Sequence, residues 1–334
     1  MIHRVSVCIP VYNGVKYIEE TINSILQQSM PDFELIISDN YSTDGTYELA
    51  QNLSAKDKRL NVRRNAENIG YSKNILEAVR SARSELVAIF HADDVYHPEI
   101  LIRELNVLES CPTVAGVFTH PAVFKNNINK ASRRSFYKGL HKRGLYTHKR
   151  GLLVGSYKEF RPILLEFGNI FACPSFMTRK SDFLSLGGFK DRYPSNEDLE
   201  LWIKYLRSGR DLAIVDDFLM YYRISDDHAS AFWKSRPELS VMYTVFQDLI
   251  IAEDGLSSKE KSAYQRNIAV GYARAALNAA RQGDKEKARD LASLSRRSAV
   301  LYTRAPWFVL QYFPNFVVQL FQIVDSITYY RKLL

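Results

Sequence analysis

Two adjacent carboxylates at the end of an apolar run are the first residues of this sequence equipped for chemistry. Val87-Ala88-Ile89-Phe90 reads as a short buried strand, although an apolar run of this length does not by itself exclude a helix. His91-Ala92-Asp93-Asp94 follow directly. Carboxylates rarely sit beside a buried strand unless something cationic holds them there, and ligands of open α/β sheets bind just past the carboxyl ends of the strands. Asp93 and Asp94 are therefore expected to share a divalent ion with a substrate diphosphate. The plainer alternative is that Asp94 only begins a turn into the helix opened by Pro98. Three further groups belong to the same inventory: Pro10, Tyr12 and Asn13 after a first apolar run, Asp39 after a second, and Glu197-Asp198 at a candidate helix start.

The elements that must position these groups are legible in order. Val5 to Val11 alternates and then runs apolar, which predicts a first buried strand with Pro10 tolerated where the ladder stops. A turn at Tyr12-Asn13-Gly14 leads to a helix carrying Ile18, Ile22, Ile25 and Leu26. Phe33 to Ile37 is a second strand, Ser42 to Gly45 caps a helix, and Leu60 to Arg63 is a weaker third strand. Asn68-Ile69-Gly70 starts the helix that feeds the central strand. Strands alternating with helices at this spacing predict an α/β, doubly wound, mostly parallel sheet joined by right-handed crossovers. No GxGxxG follows the first strand and no GxxxxGK[ST] occurs, so dinucleotide-binding and P-loop readings lose their main support. In the second half, a helix over Ile100 to Leu108 and a strand over Val114 to Thr119 precede a strand over Phe171 to Met177. Ser195 or Asn196 then caps a helix bearing Leu199, Trp202, Ile203 and Leu206, with Trp202 in the core. Ala213 to Val215 and Leu219 to Arg223 read as the last strands.

Beyond about Phe232 the pattern is helical. Tyr264 to Arg297 reads as two helices joined at Gly283-Asp284, one tetratricopeptide-like hairpin rather than a repeat array. Phe316 to Leu334 carries a broad apolar face with a narrow polar stripe, a helix that packs on the domain or lies in a membrane interface. At 334 residues, 46% hydrophobic and 25% charged, the chain has the composition of a soluble protein of two packed units. Cys8, Cys111 and Cys173 are far apart and without CxxC, which suggests reduced thiols in a cytosolic compartment. No signal peptide or spanning segment is apparent. The net charge of +8 is concentrated: Ser110 to Lys158 contains no Asp or Glu. Its basic residues, from Lys125 through Arg150, form either a solvated loop or a patch for anionic lipid or a phosphate-bearing acceptor. No nucleic-acid motif accompanies them.

Four stretches, in this order, resemble the family-2 glycosyltransferases of GT-A fold: Val-Ser-Val-Cys-Ile-Pro-Val-Tyr-Asn (5–13), Phe-Glu-Leu-Ile-Ile-Ser-Asp-Asn-Tyr-Ser-Thr-Asp-Gly-Thr (33–46), His-Ala-Asp-Asp (91–94) and Asn-Glu-Asp-Leu-Glu-Leu-Trp (196–202). The resemblance implies a GT-A domain over 1–230, with a nucleotide-sugar-binding half (1–110) and an acceptor half (111–230). Residues 231–334 fall outside it as a helical extension ending in the amphipathic helix. It implies an inverting enzyme, hexosyltransferase-like, with a UDP-linked sugar donor and a carbohydrate or lipid-linked saccharide acceptor, acting in surface polysaccharide assembly. Pro10, Tyr12, Asn13 and Asp39 would hold the donor, Tyr12 by stacking on the base and Asp39 by accepting the uracil N3–H. Asp93 and Asp94 would bind Mn²⁺ or Mg²⁺ and bridge it to the diphosphate.

His91 stands where the family usually has Asp, and a histidine there could bond the ribose or ligate Mn²⁺. Asp198, beside Glu197, would be the general base, its ionised form favoured by the helix N-terminus. Arg223 and His228 would bring basic groups over the diphosphate, with His228 placed among the metal-site residues. The family's processive QxxRW is absent, which argues for adding one sugar at a time. Expected partners are thus a nucleotide-sugar and a saccharide acceptor, with peripheral contact at the inner face of a membrane and no nucleic acid. The competing readings are transfer to polyprenyl phosphate, a nucleotidyltransferase and a non-catalytic scaffold.

Overall fold

The computed structural model describes residues 3–132, 151–194, 196–224, 241–281 and 283–298. The chain divides into two compact units, one made of residues 1–160 with 170–225, the other of 161–169 with 226–334. His228, most of the basic loop and the amphipathic segment after Phe316 lie outside the described residues.

The first unit is built on one mixed sheet. Its strands are β1 (Val5–Val11), β2 (Phe33–Asp39), β3 (Leu60–Arg64), β4 (Leu86–Ile89), β5 (Val95–Tyr96), β6 (Val114–Phe124), β7 (Leu152–Gly155), β8 (Phe176–Arg179) and β9 (Asp211–Arg223). The spatial order is β3-β2-β1-β4-β8-β6-β9-β5, with β7 also paired to β9. β3, β2, β1 and β4 run parallel. They are connected by α1 (Ile18–Leu26), α2 (Thr46–Ser54) and α3 (Tyr71–Ser81), whose apolar positions at helical spacing face the sheet. Every residue of β1 and β2 is buried, as expected of strands covered on both faces. Pro10 lies two residues past the last β1–β4 pair, Cys8 with Ile89, so its missing N–H costs the ladder nothing.

The other half departs from simple alternation. β8 is antiparallel to both β4 and β6, and β5 and β7 are antiparallel to β9. The expected strand over Phe171 to Met177 is in fact a 3₁₀ turn, Cys173–Ser175, followed by β8. Pro174 has no N–H for a ladder. The two strands expected over 213–223 are one, because β9 follows β6 along its length through an irregularity between Thr119 and Pro121. Helix α4 (Ile100–Ser110) precedes β6, α5 (Tyr157–Phe167) starts in this unit with its residues from 161 on belonging to the second, and α6 (Lys180–Ser185) and α7 (Glu197–Arg207) complete the described helices here. Trp202 is fully buried against Phe118, Phe176 and Phe189.

In the second unit, α8 (Val241–Phe246) continues through a π-turn at Gln247–Ile251. Helices α9 (Ser258–Arg281) and α10 (Lys285–Ser298) close on Ala276, Ala279, Ala280, Ala288 and Leu291. Small side chains at this spacing let the two helices approach closely. Arg161 binds Glu260 at 2.5 Å, and Asn267 donates to the Leu165 carbonyl at 3.1 Å, tying segment 161–169 to α9.

Candidate active site

The carboxyl ends of β1, β2 and β4 come together, and the loops leaving them are stitched by side chains. Asn13, in the left-handed region at φ 50°, donates its N–H to Ser42 Oγ at 2.9 Å and accepts the Thr43 N–H on its side-chain oxygen at 2.9 Å. Asparagine tolerates this conformation better than most residues. Gly14 N–H reaches Thr46 Oγ1 at 2.9 Å. Tyr12, just before this bridge, leaves about half of its surface exposed, 51%. Asp39 is fully buried at the end of β2. Its Oδ2 accepts the Ser42 N–H at 3.0 Å and lies 3.4 Å from Arg64 Nε, while Oδ1 has no hydrogen-bond partner among the described residues. A buried carboxylate oxygen left in that state is poised for a donor from outside the chain.

The His91–Asp94 loop is fixed by three elements, α1, β5 and β9. The Thr21 hydroxyl of α1 lies 2.9 Å from the Ala92 carbonyl and 2.7 Å from that of Asp94. His91 N–H donates to Tyr96 Oη at 2.7 Å, and the Tyr96 ring stacks on Phe90 with centroids 4.0 Å apart. From β9, Arg223 N–H donates to Asp94 Oδ1 at 2.9 Å and Arg223 Nε to the Asp93 carbonyl at 2.8 Å. Its guanidinium pairs with Glu20 and lies over the rings of Tyr17 and Phe124, each 4.5 Å away. Arg223, expected over a diphosphate, is thus 6% exposed and turned inward. What it does in this structure is hold the two-aspartate loop.

One ligand atom from each of His91, Asp93 and Asp94 lies within 4.8 Å of the others. Asp94 is fully buried and its Oδ2 has no hydrogen-bond partner among the described residues. Burial, and next the charge of Asp93, push its carboxyl well above the usual carboxylate range, against the pull of the Arg223 N–H and guanidinium. An uncompensated carboxylate in this position is costly, and a divalent ion removes that cost. Two carboxylates with an imidazole suit Mn²⁺ at least as well as Mg²⁺.

Glu197 and Asp198 open α7. Asn196, one of the two expected caps, occupies the capping position without a side-chain bond, and Ser195, the other, lies outside the described residues; Asp198 Oδ1 accepts the Leu199 N–H at 2.7 Å. The charges of Asp198 and Glu197 act on both Tyr71 and Cys173, and Asp94 acts on Cys173 as well. Carboxylates from positions 94, 197 and 198 therefore share one neighbourhood. Sequence reading passed over two of its members. Tyr71, first residue of α3, places its hydroxyl 2.9 Å from His91 Nε2. Cys173 had no signal beyond being an apolar-flanked thiol.

Residues 6–180 match the model of glycosyl transferase family 2. The chain belongs to that family. It is a glycosyltransferase, and its sheet and helices are those of the GT-A fold. A glycosyltransferase of Methanocaldococcus jannaschii is 27% identical over 224 residues, 66% of this chain and 70% of that protein. The putative teichuronic acid biosynthesis glycosyltransferase TuaG of Bacillus subtilis is 38% identical over 104 residues, 31% of this chain and 41% of TuaG. Among solved structures, S. aureus TarS 1-349 in complex with UDP-GlcNAc superposes with a TM-score of 0.62 at 17% identity, covering 92% of this chain and 87% of that one. A mannosyltransferase of Pyrobaculum calidifontis in complex with GDP-Man and Mn²⁺ gives 0.55 at 19% identity, covering 98% and 87%.

Proposed function

We propose that this glycosyltransferase moves one sugar, with inversion, from a UDP-linked donor to a carbohydrate or lipid-linked saccharide acceptor in surface polysaccharide assembly. The observation that carries the reading is the convergence of His91, Asp93 and Asp94 on one point, with Asp94 Oδ2 left without a hydrogen-bond partner among the described residues. Asp39 Oδ1 accepts the N3–H of the base, and Tyr12 offers an exposed ring for stacking. Pro10 and Asn13 shape the loop between them. Asp93 and Asp94, with His91 beside them, would hold Mn²⁺ or Mg²⁺, and the ion would supply neutralisation of the charge that develops on the leaving diphosphate. Asp198 takes the proton of the acceptor hydroxyl as its oxygen attacks the anomeric carbon, and the bond from that carbon to the diphosphate oxygen breaks. Glu197 shares the helix start and shapes the local field.

The TarS and P. calidifontis structures hold UDP-GlcNAc and GDP-Man with Mn²⁺, and TuaG is named for teichuronic acid biosynthesis. These support a nucleotide-sugar donor, Mn²⁺ and a polysaccharide setting. Residues 1–110 serve the donor, residues 111–230 the acceptor, and the rest forms the helical extension. Among the described residues no helix is long and apolar enough to cross a membrane. We place the enzyme in the cytoplasm, meeting a lipid-linked acceptor at the inner face of the membrane. Asp198→Ala is expected to lower turnover by about 100-fold or more while leaving the dissociation constant for the donor nucleotide within about twofold. Wild-type turnover in that variant would remove Asp198 from the mechanism.

A further inference from the structure

Ser42 is the hub of the turn that leaves β2. Its N–H donates to Asp39 Oδ2 at 3.0 Å, its Oγ accepts the Asn13 N–H, and its carbonyl accepts from Arg64 Nη2 at 2.7 Å. Arg64, the last residue of β3, sits opposite Asp39 in the sheet register, and its Nε lies 3.4 Å from that same Oδ2. Its Nη1 lies 3.8 Å from Glu48. The guanidinium also lies over two rings, its central carbon 5.2 Å from the ring centroid of Tyr41 and 4.8 Å from that of Tyr47. Gln51 donates to the Tyr47 hydroxyl at 3.0 Å. Tyr41 stands at φ 67° with its side chain well exposed. A bulky L residue in the left-handed region is strained, and burial does not repay the strain here. The ring's described contact is with Arg64, a cation over an aromatic face. Strain of this kind persists only where the surroundings hold it, and it gathers at functional sites.

Asp39 is thus held on one oxygen by an N–H and a guanidinium, while its buried Oδ1 has no hydrogen-bond partner among the described residues. An ionised carboxylate only accepts. Fixed in place, Oδ1 suits the N3–H of uracil, whereas cytosine carries a lone pair at that position. A carboxylate free to swing could instead accept from the exocyclic amine of cytosine, so immobility is what separates the two bases. We propose that Arg64, steadied by Tyr41 and Tyr47, is a positioning residue that sets donor selectivity by locking the Asp39 carboxylate, so that uracil is taken over cytosine. This rests on the assignment of Asp39 to the base made above, and it adds the groups that make that contact selective. The planar fork of arginine can meet the carboxylate and the Ser42 carbonyl at once while lying on a ring, which lysine cannot do.

The probes are UDP and CDP, titrated calorimetrically into the full chain with Mn²⁺, and the readout is the ratio of their dissociation constants. Wild type should prefer UDP by about tenfold or more, and Asp39→Ala should lose the preference. Arg64→Met removes the fork and should bring the ratio to about twofold or less, by weakening UDP and not CDP. A merely structural role would weaken both nucleotides alike. Arg64→Lys restores the charge without the fork and should recover only part of the ratio. Tyr41→Gly removes the ring and the strain together, so it should keep or raise the thermal midpoint while lowering the ratio about threefold. Arg64→Met with the wild-type ratio overturns the proposal, and the base assignment stands if Asp39→Ala has lost the preference. Should Arg64→Met not fold, Tyr41→Gly decides in the same way. Wild type without a preference for UDP, or Asp39→Ala that retains it, overturns both.

Discussion

At the scale of single residues, the chain separates carboxyls that face outward chemistry from one that faces none. Asp39 and Asp94 are buried, each with one oxygen held by the chain and one without a hydrogen-bond partner among the described residues. Glu104 on α4 is also fully buried, but neither of its oxygens has a hydrogen-bond partner among the described residues, and burial pushes its carboxyl well above the ordinary glutamate value. The sign of its effect follows by linkage. The unfolded chain releases this proton at the usual glutamate pKa while the folded chain keeps it. Its contribution to stability is therefore full below that pKa and declines as pH rises toward the folded value. Glu104→Gln should flatten the pH dependence and raise stability at pH 8 by about 1–3 kcal/mol, as read by denaturant unfolding at pH 5 and pH 8. A wild-type stability equal at both pH values would contradict this account. The two-aspartate pair was legible because adjacent carboxylates after an apolar run are rare. The inward turn of Arg223 was not, because its main tie to Asp94 is a backbone N–H contributed by a strand 129 residues away, and no side-chain pattern encodes such a tie.

At the scale of elements, the site depends on strand ends whose loops are locked to one another. Asn40 illustrates the economy of this arrangement. It donates to Asn68 and Gly70, and its Oδ1 accepts from Asn65 and the Ile69 N–H. One buried amide thereby joins β2 to the approach of α3 and to Tyr71. Gly70 has open space where a Cβ would stand, so its requirement is conformational rather than steric crowding. Gly70→Ala should cost about 1–2 kcal/mol for an L side chain at positive φ and weaken Mn²⁺ binding by shifting Tyr71. Urea unfolding alongside Mn²⁺ titration checks both, and an unchanged pair of values would detach this turn from the metal site. The first three strands and their helices were readable from periodicity: β1 and β2 are apolar runs buried throughout, and β3, at the sheet edge and only partly buried, gave the weaker signal. β8 was misread because its antiparallel partners, β4 and β6, are distant in sequence, and Pro174 interrupts the apolar run that precedes it. The start of α7 shows the same limit. Asn196 looks like a cap, yet the carboxylate two residues on takes a first-turn N–H.

At the scale of the whole molecule, the chain combines a family domain with a helical unit closed largely on small side chains. The helical pair over 258–298 was evident from alanine and leucine spacing, which reports only a shared face. The chain segment 161–169, assigned to that unit by its contacts, carries no signal of the kind. The family match covers residues 6–180, and within it the proposed donor side is the more legible, because its groups lie at or just past the ends of β1, β2 and β4. The proposed acceptor side draws on α7 and the 3₁₀ turn at Cys173, elements whose neighbours come from far along the chain. What unites these scales is a single claim: acidic groups from separated stretches meet at the rim of one sheet to hold a nucleoside diphosphate through a divalent ion. Calorimetric titration of UDP, GDP, CDP and dTDP, with and without Mn²⁺, into wild type and Asp93→Asn tests it directly. UDP should bind best, more tightly with Mn²⁺ by about tenfold or more, and Asp93→Asn should erase that metal dependence. Binding of every nucleotide that is indifferent both to Mn²⁺ and to Asp93 would contradict the account.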